Sequence, residues 1–588
     1  MNVQKIRNNE ALAQQTILKD LVDALLFEDI GGLASKSEVV THGNQLFIHY
    51  GTTERYLSIP VYMSGLNLFR YAPGAVLLCQ HGQEKTLHAV ELWDQIVEMN
   101  PSEAKAWEWR RFRQGLQDAV QQLTGQLKGM NLSDHPFIRA EQLASFKDRP
   151  FHPVAKEKRG FRVSDYEKYQ SEFHQPIALN TVAVHKDFVL NGQKADAQRY
   201  QDYFGATLDP CKAELQESGL LETAYIIFPV HPWQYEHVLP VEFEAEIEAQ
   251  QVVRLKHTFG RYLSSSSMRT LINLEQPFEH LKVPLSIQSL GALRLTPTRY
   301  MKNGEVAEQL LHTLIQQDDR LKGHVWPCDE TAWWSYLSSD GDIFKDQLGH
   351  LTMQFRQYPE AIKNDVGQQL ISMAALAAHD DSLYRMILRQ PHGSLTQAQI
   401  MDLFEAITSS FLEMTCSFMK SGALPELHGQ NVLIAFKDGK VSSFVLRDHD
   451  TVRIYPEWLK QQHIEVPQYT VRKDTPNTLI NETLEDFFAY FQTLAVSVNL
   501  YAIIDALVQV FDIAEHDLMT ILRNQLTYWV STIEWLPEDK EKVEAILLEQ
   551  QTWPFKRIIL PLLLQKESGG GSMPSSLGRV PNPMMKHE

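Results

Sequence analysis

Cysteine is scarce in this sequence and shows no clustering. Four cysteines occur in 588 residues, at Cys79, Cys211, Cys328 and Cys416, and no two of them form a Cys-x-x-Cys pair. Closely spaced cysteines are the usual signature of structural zinc sites and of disulfide frameworks in short secreted chains. The sequence indicates neither, and we expect the four thiols to be reduced, as in a cytoplasmic protein.

The chain also lacks an excess of positive charge and a long apolar run. Its formal net charge is −18, whereas proteins that bind nucleic acids carry a basic surface, so we expect no nucleic-acid partner. We find no run of eighteen uncharged apolar residues of the kind that a membrane span requires. The amphipathic stretch Leu12–Phe27 carries Asp20 and Asp23, unlike the apolar part of a signal peptide. The expectation is a soluble chain without a membrane partner.

Glycine-rich phosphate loops are absent as well. Neither GxGxxG nor GxxxxGK[ST] occurs in the sequence. Both patterns bring backbone N–H groups close to phosphates. A phosphate-bearing ligand would therefore have to be held by side chains from several separate segments.

The most informative feature that is present is a pair of polar clusters around one predicted hairpin. The clusters are Glu426–Asn431 and Arg447–Asp450, and two apolar runs, 432–436 and 441–446, lie between them. The turn between these runs contains Asp-Gly, a strong hairpin signal. Both clusters are therefore expected at the same end of the hairpin.

The side chains in these clusters suit a magnesium ion. Mg²⁺ prefers carboxylate, amide and water oxygens and often shares its coordination shell with phosphates, so we predict Glu426, Asn431 and Asp448 as ligands. Zinc is disfavoured because no cysteine accompanies His428. A loop histidine beside a surface salt bridge is the alternative for an isolated motif of this kind.

An upstream segment, Arg149–Phe161, is rich in cations and fixed by prolines. Pro150 and Pro153 flank His152, and proline presets the backbone and so lowers the entropy cost of presenting neighbouring side chains. Lysine and arginine in this segment suit a phosphate or carboxylate. An ordinary solvated basic loop is the alternative interpretation.

A third segment, 262–299, combines hydroxyls and cations with short apolar runs that predict buried strands. Ser267, Arg269, Lys282 and Arg294 are expected at strand ends or on one inward face. The window contains two acids against four lysines and arginines. Buried cations require an anionic partner, and this imbalance favours a bound ligand over internal pairing.

Taken together, these segments resemble the NRPS-independent siderophore synthetases of the IucA/IucC type. Any one motif is weak evidence, whereas six in the family's order are specific. The resemblance covers roughly residues 135 to 455 and rests on His152-Pro153-x-x-Lys156 followed by Gly160-Phe161, Pro229–Gln234, Ser267-x-Arg269-Thr270, the Lys282-to-Arg294 spacing, Glu426-x-His428-x-Gln430-Asn431, and Arg447-Asp448.

The resemblance implies an ATP- and Mg²⁺-dependent enzyme of siderophore biosynthesis. Such enzymes adenylate a polycarboxylic acid, such as citrate, a citryl monoamide or a related dicarboxylate, and then condense it with an amine or hydroxyl, releasing AMP and pyrophosphate. It implies catalytic roles for Arg294 and His428, which with Lys556 would also bind the acid. The implied ATP-binding residues are His152, Lys156, Ser267, Arg269, Thr270, Lys282 and Asn431.

Two departures from the family pattern concern substrate binding. The usual Lys-x-Arg after His-Pro is replaced by Lys156-Glu157-Lys158-Arg159, and lysine lacks the bidentate fork of arginine. Citrate-using members tend to carry a small polar residue four positions before the arginine that corresponds to Arg294. Leu290 occupies that position here, which favours a less polar acid than free citrate, such as a citryl monoamide or a dicarboxylic hemi-amide.

The expected fold is α+β with a multi-part, hand-like arrangement that the resemblance implies. We predict an N-terminal α/β support domain at 1–135 and a central β-rich domain at 136–395 that binds ATP and substrate. A mostly helical domain at 396–588 would carry the metal-site hairpin. The resemblance also implies a cytoplasmic homodimer.

Two other function classes remain open at this point. A kinase-like phosphotransferase would explain a His- and Asn-containing loop followed about twenty residues later by an Asp, but the glycine-rich loop is missing. A non-catalytic siderophore- or iron-binding protein is the other alternative, because the C-terminal part of the family resembles ferric-siderophore reductases. Those proteins use clustered cysteines for iron–sulfur ligation, which this sequence lacks.

Overall fold

The computed structural model describes residues 3–66, 69–365, 367–390, 392–472, 479–565 and 576–585. Its N-terminal part is an antiparallel sheet covered by helices. The helices are Val3–Phe27, Ala89–Met99 and Trp109–Gly129. Their apolar faces and one face of the sheet form a common core. The strands are Glu38–His42, Gln45–Gly51, Arg55–Met63, Phe69–Tyr71, Val76–Gln80 and Gln83–Leu87.

The central part is built on an eight-stranded antiparallel sheet among the described residues. Its longest strand, Val252–Ser264, leads directly into the serine-rich loop that precedes Arg269. The loop thereby leaves the sheet at a strand end, as the sequence predicted. In sheet order the strands are Val189–Asn191, Asp329–Tyr336, Thr352–Gln357, Glu279–Lys282, Thr270–Asn273, Val252–Ser264, Ile177–His185 and Tyr225–Val230.

A separate two-stranded hairpin, Leu285–Ser289 with Ala292–Arg294, carries Arg294. Leu290 and Gly291 form its turn with φ of 55° and 77°, as a tight two-residue hairpin turn requires. The Leu290 side chain is buried in the N-terminal hydrophobic core. Leu290 therefore fills a core position at a turn, and its presence is no evidence against free citrate as the substrate.

The predicted C-terminal hairpin is confirmed. Its strands are Val432–Lys437 and Lys440–Leu446, and Asp438 and Gly439 in the turn have positive φ. Gln368–Ser372 pairs antiparallel with the first strand, and Val325–Pro327 pairs parallel with the second. The hairpin is thus the middle of a four-stranded sheet, which fixes the position of the polar clusters at its end.

Long helices enclose this sheet in the largest hydrophobic core. They are Pro136–Lys147, Thr298–Gln317, Gln397–Lys420, Glu515–Thr532 and the continuous segment Leu484–Phe511, which contains a π-helical stretch at Phe491–Leu500. Two small ladders complete the sheets, pairing Ala423–Leu424 with Arg453–Ile454 and Thr552–Arg557 with Ser576–Pro581. Shorter helices lie at Val163–Tyr169, Ala197–Phe204, Asp209–Glu217, Pro232–His237, Leu239–Glu242, Glu244–Glu248, Glu360–Lys363, Met373–Leu376, Ser382–Ile387, Pro456–Gln461, Lys540–Glu544, Ala545–Glu549 and Leu560–Leu564.

One helix differs from the expectation about membrane-spanning segments. Leu484–Phe511 is long and apolar enough to cross a membrane, with a mean hydropathy of 1.8 over its most apolar window. The sequence interpretation missed it because Gln492, Thr493 and Asn499 interrupt the apolar run. Of that window, 67% is buried inside the protein, which is the burial of a core helix.

The division at residue 395 stays a prediction, but the largest hydrophobic core includes residues from both sides of it. Strands 325–327 and 368–372 and helices 136–147 and 298–317 all pack with the C-terminal helices. The chain therefore crosses between the second and third parts several times. Segments that are distant in sequence meet where these parts join.

Candidate active site

Asp448 and Lys282, which the sequence placed in one site, are in direct contact. The Lys282 ammonium donates to Asp448 Oδ1 at 2.6 Å, and the Arg356 guanidinium donates to the same oxygen at 2.7 Å. Burial alone would raise the pKa of Asp448, but Arg356 and Lys282 hold it well below its usual range. Asp448 is therefore an anion at neutral pH, fixed between two cations.

Glu330 completes this cluster from the neighbouring strand. Its carboxylate accepts hydrogen bonds from the Arg356 guanidinium at 2.5 Å and from the backbone N–H of Asp448 at 3.0 Å. Asp448 has the left-handed backbone conformation, with φ of 60°, which aspartate tolerates better than most residues. Glu330 and Arg356 together hold Asp448 in this orientation.

Arg269 lies beside the same cluster and lines a cleft with Lys282, Glu330, Tyr300 and Asp450. Burial lowers the pKa of Arg269, and the charges of Asp448 and Asp450 oppose that effect. Burial also raises the pKa of Asp450. The cleft therefore combines fixed cations with two carboxylates, a composition suited to a phosphate chain and a divalent metal ion.

The serine-rich loop is attached to the C-terminal hairpin by a buried network. Arg447 Nη1 lies 2.9 Å from a Glu141 carboxylate oxygen, and Arg447 Nε donates to the backbone carbonyl of Gln430 at 2.9 Å. Glu141 accepts from both the N–H and the hydroxyl of Ser266 at 2.9 and 2.7 Å. Arg447 thus joins loop and hairpin, and it positions the adjacent Ser267.

The remaining predicted phosphate-binding residues from this region differ in their accessibility. Thr270 pairs with Lys282 in the central ladder and is fully buried. Ser267 is half-buried, and its backbone N–H donates to the Ser265 hydroxyl. Ser267 is therefore the hydroxyl better placed to meet a ligand.

His428 and Asn431 are buried at the end of the hairpin. His428 Nδ1 accepts a hydrogen bond from the Gln430 N–H at 3.2 Å. Burial, and then the positive charge of Arg149, lower the pKa of His428 well below its usual value. His428 Nε2 and Asn431 Oδ1 are buried without a hydrogen-bond partner among the described residues. Such orphaned groups are costly unless a ligand satisfies them.

Arg149 is a charged neighbour shared by four predicted site residues. Burial is the largest cause, and the positive charge of Arg149 the second largest, that lowers the pKa of three of them. The pKa falls to about 3 for His152, to about 8 for Lys556 and to about 9 for Arg294. The same holds for His428. The structure therefore brings His152, Arg294, His428 and Lys556 together around Arg149.

Lys156 is placed differently from the prediction. Its ammonium donates to the Ser145 carbonyl at 2.6 Å and to the Glu172 carboxylate at 3.4 Å, and the side chain is 5% exposed. Lys158, at the position of the usual family arginine, pairs with Asp148 at 2.8 Å. Both lysines fix the segment after His152 to its neighbours, and this geometry gives no support to contact between Lys156 and ATP.

Glu426 is engaged by three neighbours. Its Oε2 accepts from the Tyr490 hydroxyl at 2.5 Å, from Arg453 at 3.4 Å, and from the Thr451 hydroxyl. Among the described residues, no group of three or more His, Cys, Asp and Glu side chains is arranged to hold a metal ion by itself. Asn431, with its orphaned oxygen, and Asp448 fit a magnesium ion that is completed by phosphates and water. Glu426 fits less well because its Oε2 atom already accepts hydrogen bonds from three side chains.

His231–Gln234 supports the hairpin that carries Arg294. The Gln234 amide accepts from the Ser286 N–H at 2.9 Å and donates to the His350 carbonyl at 2.9 Å. Trp233 is buried and packs against Phe161. This segment positions the site from beneath.

Sequence reasoning missed Glu141, Glu330 and Arg356, and it gave no role to Asp450. A signal existed for two of them: Glu330 and Arg356 are charges inside otherwise apolar strands, at 329–336 and 352–357. A charge in such a strand requires a buried partner. Their partners lie far along the chain, so the pairing was not visible in the sequence.

Comparisons with known proteins show the family to which the chain belongs. The model of the IucA/IucC family matches residues 136–378. Staphyloferrin B synthase of Staphylococcus aureus is 53% identical over 577 residues, which is 98% of both chains. The chain belongs to the IucA/IucC family of NRPS-independent siderophore synthetases. Aerobactin synthase of Escherichia coli is 24% identical over 57% of this chain and 60% of its own.

Solved structures of IucA/IucC proteins share the mixed α/β fold. The petrobactin biosynthesis protein AsbB of Bacillus anthracis covers 99% of this chain and 98% of its own with a TM-score of 0.81 at 18% identity. ATP-bound aerobactin synthetase IucA of Klebsiella pneumoniae covers 96% of this chain and 99% of its own with a TM-score of 0.73 at 18% identity. A model described as ferric iron reductase FhuF-like transporter matches residues 411–571. Cys416, the one cysteine of that range, is buried, so an iron–sulfur cluster has no ligand set there.

Proposed function

We propose that this siderophore synthetase uses ATP and Mg²⁺ to adenylate a polycarboxylic acid, and then condenses the acyl adenylate with an amine or hydroxyl. The products are an amide or ester, AMP and pyrophosphate. The relative that is 53% identical is named staphyloferrin B synthase, so we propose staphyloferrin B, or a closely similar siderophore, as the product. A cytoplasmic homodimer remains part of this proposal.

The observation that carries the proposal is the arrangement of charge along the site. At one end Lys282 and Arg269 line a cleft, and Asp448 accepts a hydrogen bond from Lys282. The other has Arg294 and Lys556, which make no ion pair among the described residues. The first end suits a phosphate chain and the second suits carboxylates. Adenylation joins these two chemistries, because a carboxylate oxygen must attack the α-phosphate while pyrophosphate leaves.

The fixed cations supply electrostatic stabilisation. Negative charge develops on the α-phosphate and pyrophosphate oxygens during transfer, and donors already in place stabilise it without reorganisation. Lys282 is held by Asp448 at 2.6 Å, and Arg269 lies beside it. Mg²⁺ bound by Asn431 and Asp448 would neutralise further phosphate charge.

His428 acts as a hydrogen-bond donor in this proposal. Its Nδ1 accepts the Gln430 N–H, so the neutral ring carries its proton on Nε2. That atom is the buried one without a partner. An N–H directed at the acyl group stabilises a carboxylate oxygen and, when the amine attacks, the oxyanion. A role as proton acceptor would require the other tautomer and loss of the Gln430 contact.

The test is AMP and pyrophosphate release from ATP and Mg²⁺ with hydroxylamine as a surrogate nucleophile. The acids are citrate, α-ketoglutarate, succinate and their mono-amides. We expect acid-dependent AMP release that requires Mg²⁺. Asp438→Asn changes the exposed turn of the C-terminal hairpin. It is the control for variants of the site, such as Asp448→Asn, and should keep wild-type activity.

Two other outcomes would replace the proposal. ADP and a phosphorylated acceptor would establish a phosphotransferase. No nucleotide turnover with any acid, by protein shown to be folded, would favour a siderophore-binding protein, which binding of a ferric siderophore would then confirm. Light scattering at several protein concentrations tests the dimer independently.

A further inference from the structure

Arg149 belongs to a rigid turn, although neither a strand nor a helix contains it. The turn follows helix Pro136–Lys147, and Asp148 and Phe151 on either side have positive φ of 55° and 64°. The backbone N–H of His152 donates to the Arg149 carbonyl at 3.3 Å. The Phe151 ring packs on Tyr501, with 5.7 Å between centroids. Arg149 is thus presented by a fixed segment.

The other cations around this turn have acidic partners. Lys158 pairs with Asp148 at 2.8 Å and Lys156 with Glu172 at 3.4 Å. Toward the phosphate end, Lys282 pairs with Asp448 at 2.6 Å. Asp148, the acid adjacent to Arg149 in sequence, is therefore already neutralised by Lys158.

Three cations have no such partner. Arg149, Arg294 and Lys556 form no ion pair within the described part of the chain, and the one side-chain hydrogen bond of these three is a 3.4 Å bond from Arg294 to the Ser289 hydroxyl. They surround His152 and His428, which burial keeps neutral. All three side chains are half-buried, where uncompensated positive charge is less favourable than in water unless an anion offsets it. The cluster therefore suits an anion that carries more than one negative charge.

We propose that Arg149 binds a carboxylate of the acid substrate other than the one that is adenylated, so that the enzyme selects acids with at least two carboxylates. This inference rests on the proposed function. Arg294, Lys556 and His428 contact the reacting carboxyl end of the acid, and Arg149 holds the distal carboxylate through its planar fork. Arg149 is then a specificity-determining residue.

The test compares Arg149→Gln and Arg149→Lys with wild type in the AMP-release assay. Arg162→Gln, an exposed arginine thirteen positions along the chain, is the matched control and should behave as wild type. Loss of one charge-assisted contact predicts a KM for the acid raised about tenfold to a hundredfold in Arg149→Gln. The KM for ATP should stay within about twofold, and Arg149→Lys should be intermediate. Equal thermal midpoints confirm folding.

A second comparison uses the acid and its distal mono-amide. Wild type should prefer the free acid, and Arg149→Gln should lose most of that preference, because the amide lacks the charge that Arg149 recognises. An unchanged preference, or a raised KM for ATP alone, would overturn the inference and assign Arg149 to the nucleotide.

The inference is separable from the proposed function. If wild type forms no AMP with any acid, the proposed function fails. Isothermal titration of the same acids into wild type and Arg149→Gln then measures carboxylate binding directly. Equal affinity in the two proteins would remove Arg149 from the site.

Discussion

The guanidinium of Arg70 lies over the ring of Phe151, with 4.9 Å between its central carbon and the ring centroid. The same guanidinium pairs with Asp23 at 2.7 Å and with Asp505 at 3.1 Å, and all three side chains are buried. Phe151 immediately precedes His152. The N-terminal part of the fold is therefore connected to the active-site turn through one buried ionic network.

This network predicts strong coupling between Arg70 and Asp23. Breaking a buried pair from one side costs about 3–5 kcal/mol, so Arg70→Met and Asp23→Asn should each lower the free energy of unfolding by that order. The double variant should lose less than the sum, because neither charge is left alone. Urea denaturation followed by tryptophan fluorescence measures the free energy of unfolding of wild type, the two single variants and the double variant. Strictly additive losses would contradict the predicted coupling. Arg55→Met is the control: it breaks a partly exposed pair with Glu98 and should lower the free energy of unfolding by at most about 1 kcal/mol.

Asp448→Asn tests the anionic centre of the phosphate end. The substitution keeps the shape of the side chain but removes the charge that faces Lys282 and Arg356. We expect AMP formation to fall about a hundredfold to a thousandfold and the Mg²⁺ concentration for half-maximal activity to rise. Normal Mg²⁺ dependence in the variant would remove Asp448 from the metal site. Asp438→Asn in the same hairpin is the matched control.

Lys556 predicts a pH dependence of acid binding. Burial, and then Arg149, lower its pKa to about 8, so the ammonium loses its charge as pH rises through 8. The KM for the acid should rise above that pH, approaching tenfold per pH unit. Lys556→Arg should move the rise to higher pH because guanidinium stays protonated. An identical pH profile in wild type and Lys556→Arg would exclude Lys556 from acid binding. Lys540→Arg, at an exposed position, is the control.

His280 predicts part of the sensitivity to acid. Its ring lies 5.6 Å from Phe137 and 5.0 Å from Tyr358 between centroids, and burial lowers its pKa to about 3. The unfolded chain binds a proton near pH 6.5 but the folded chain does not, so stability is complete above pH 6.5 and decreases below it. The slope is about 1.4 kcal/mol per pH unit for each such histidine.

His280→Phe should therefore lose less of its thermal midpoint than wild type between pH 7 and pH 5. His516→Phe, at an exposed position, should follow the wild-type curve. Parallel curves for His280→Phe and wild type would show that His280 does not contribute to acid sensitivity.

Local features of the structure could be predicted from sequence where short-range chemistry decides them. Asp438-Gly439 specified the C-terminal hairpin because both residues tolerate positive φ. The amphipathic pattern of 12–27 indicated the first N-terminal helix, Val3–Phe27. Leu290 illustrates the limit of this approach. Its position relative to Arg294 implied a substrate contact, whereas its place in a tight turn directs it into another core.

The sequence by itself determined the family and the inventory of cations, and it placed Lys282 and Asp448 in one predicted site. Only the tertiary structure showed that Arg356 and Glu330 hold Asp448, that Lys156 is neutralised by Glu172, and that Arg149 shares a site with Arg294 and Lys556. The physical reason is that the pairing of buried charges depends on distance in space. Segments as far apart in the chain as 149 and 556 meet only after the sheets and helices have packed.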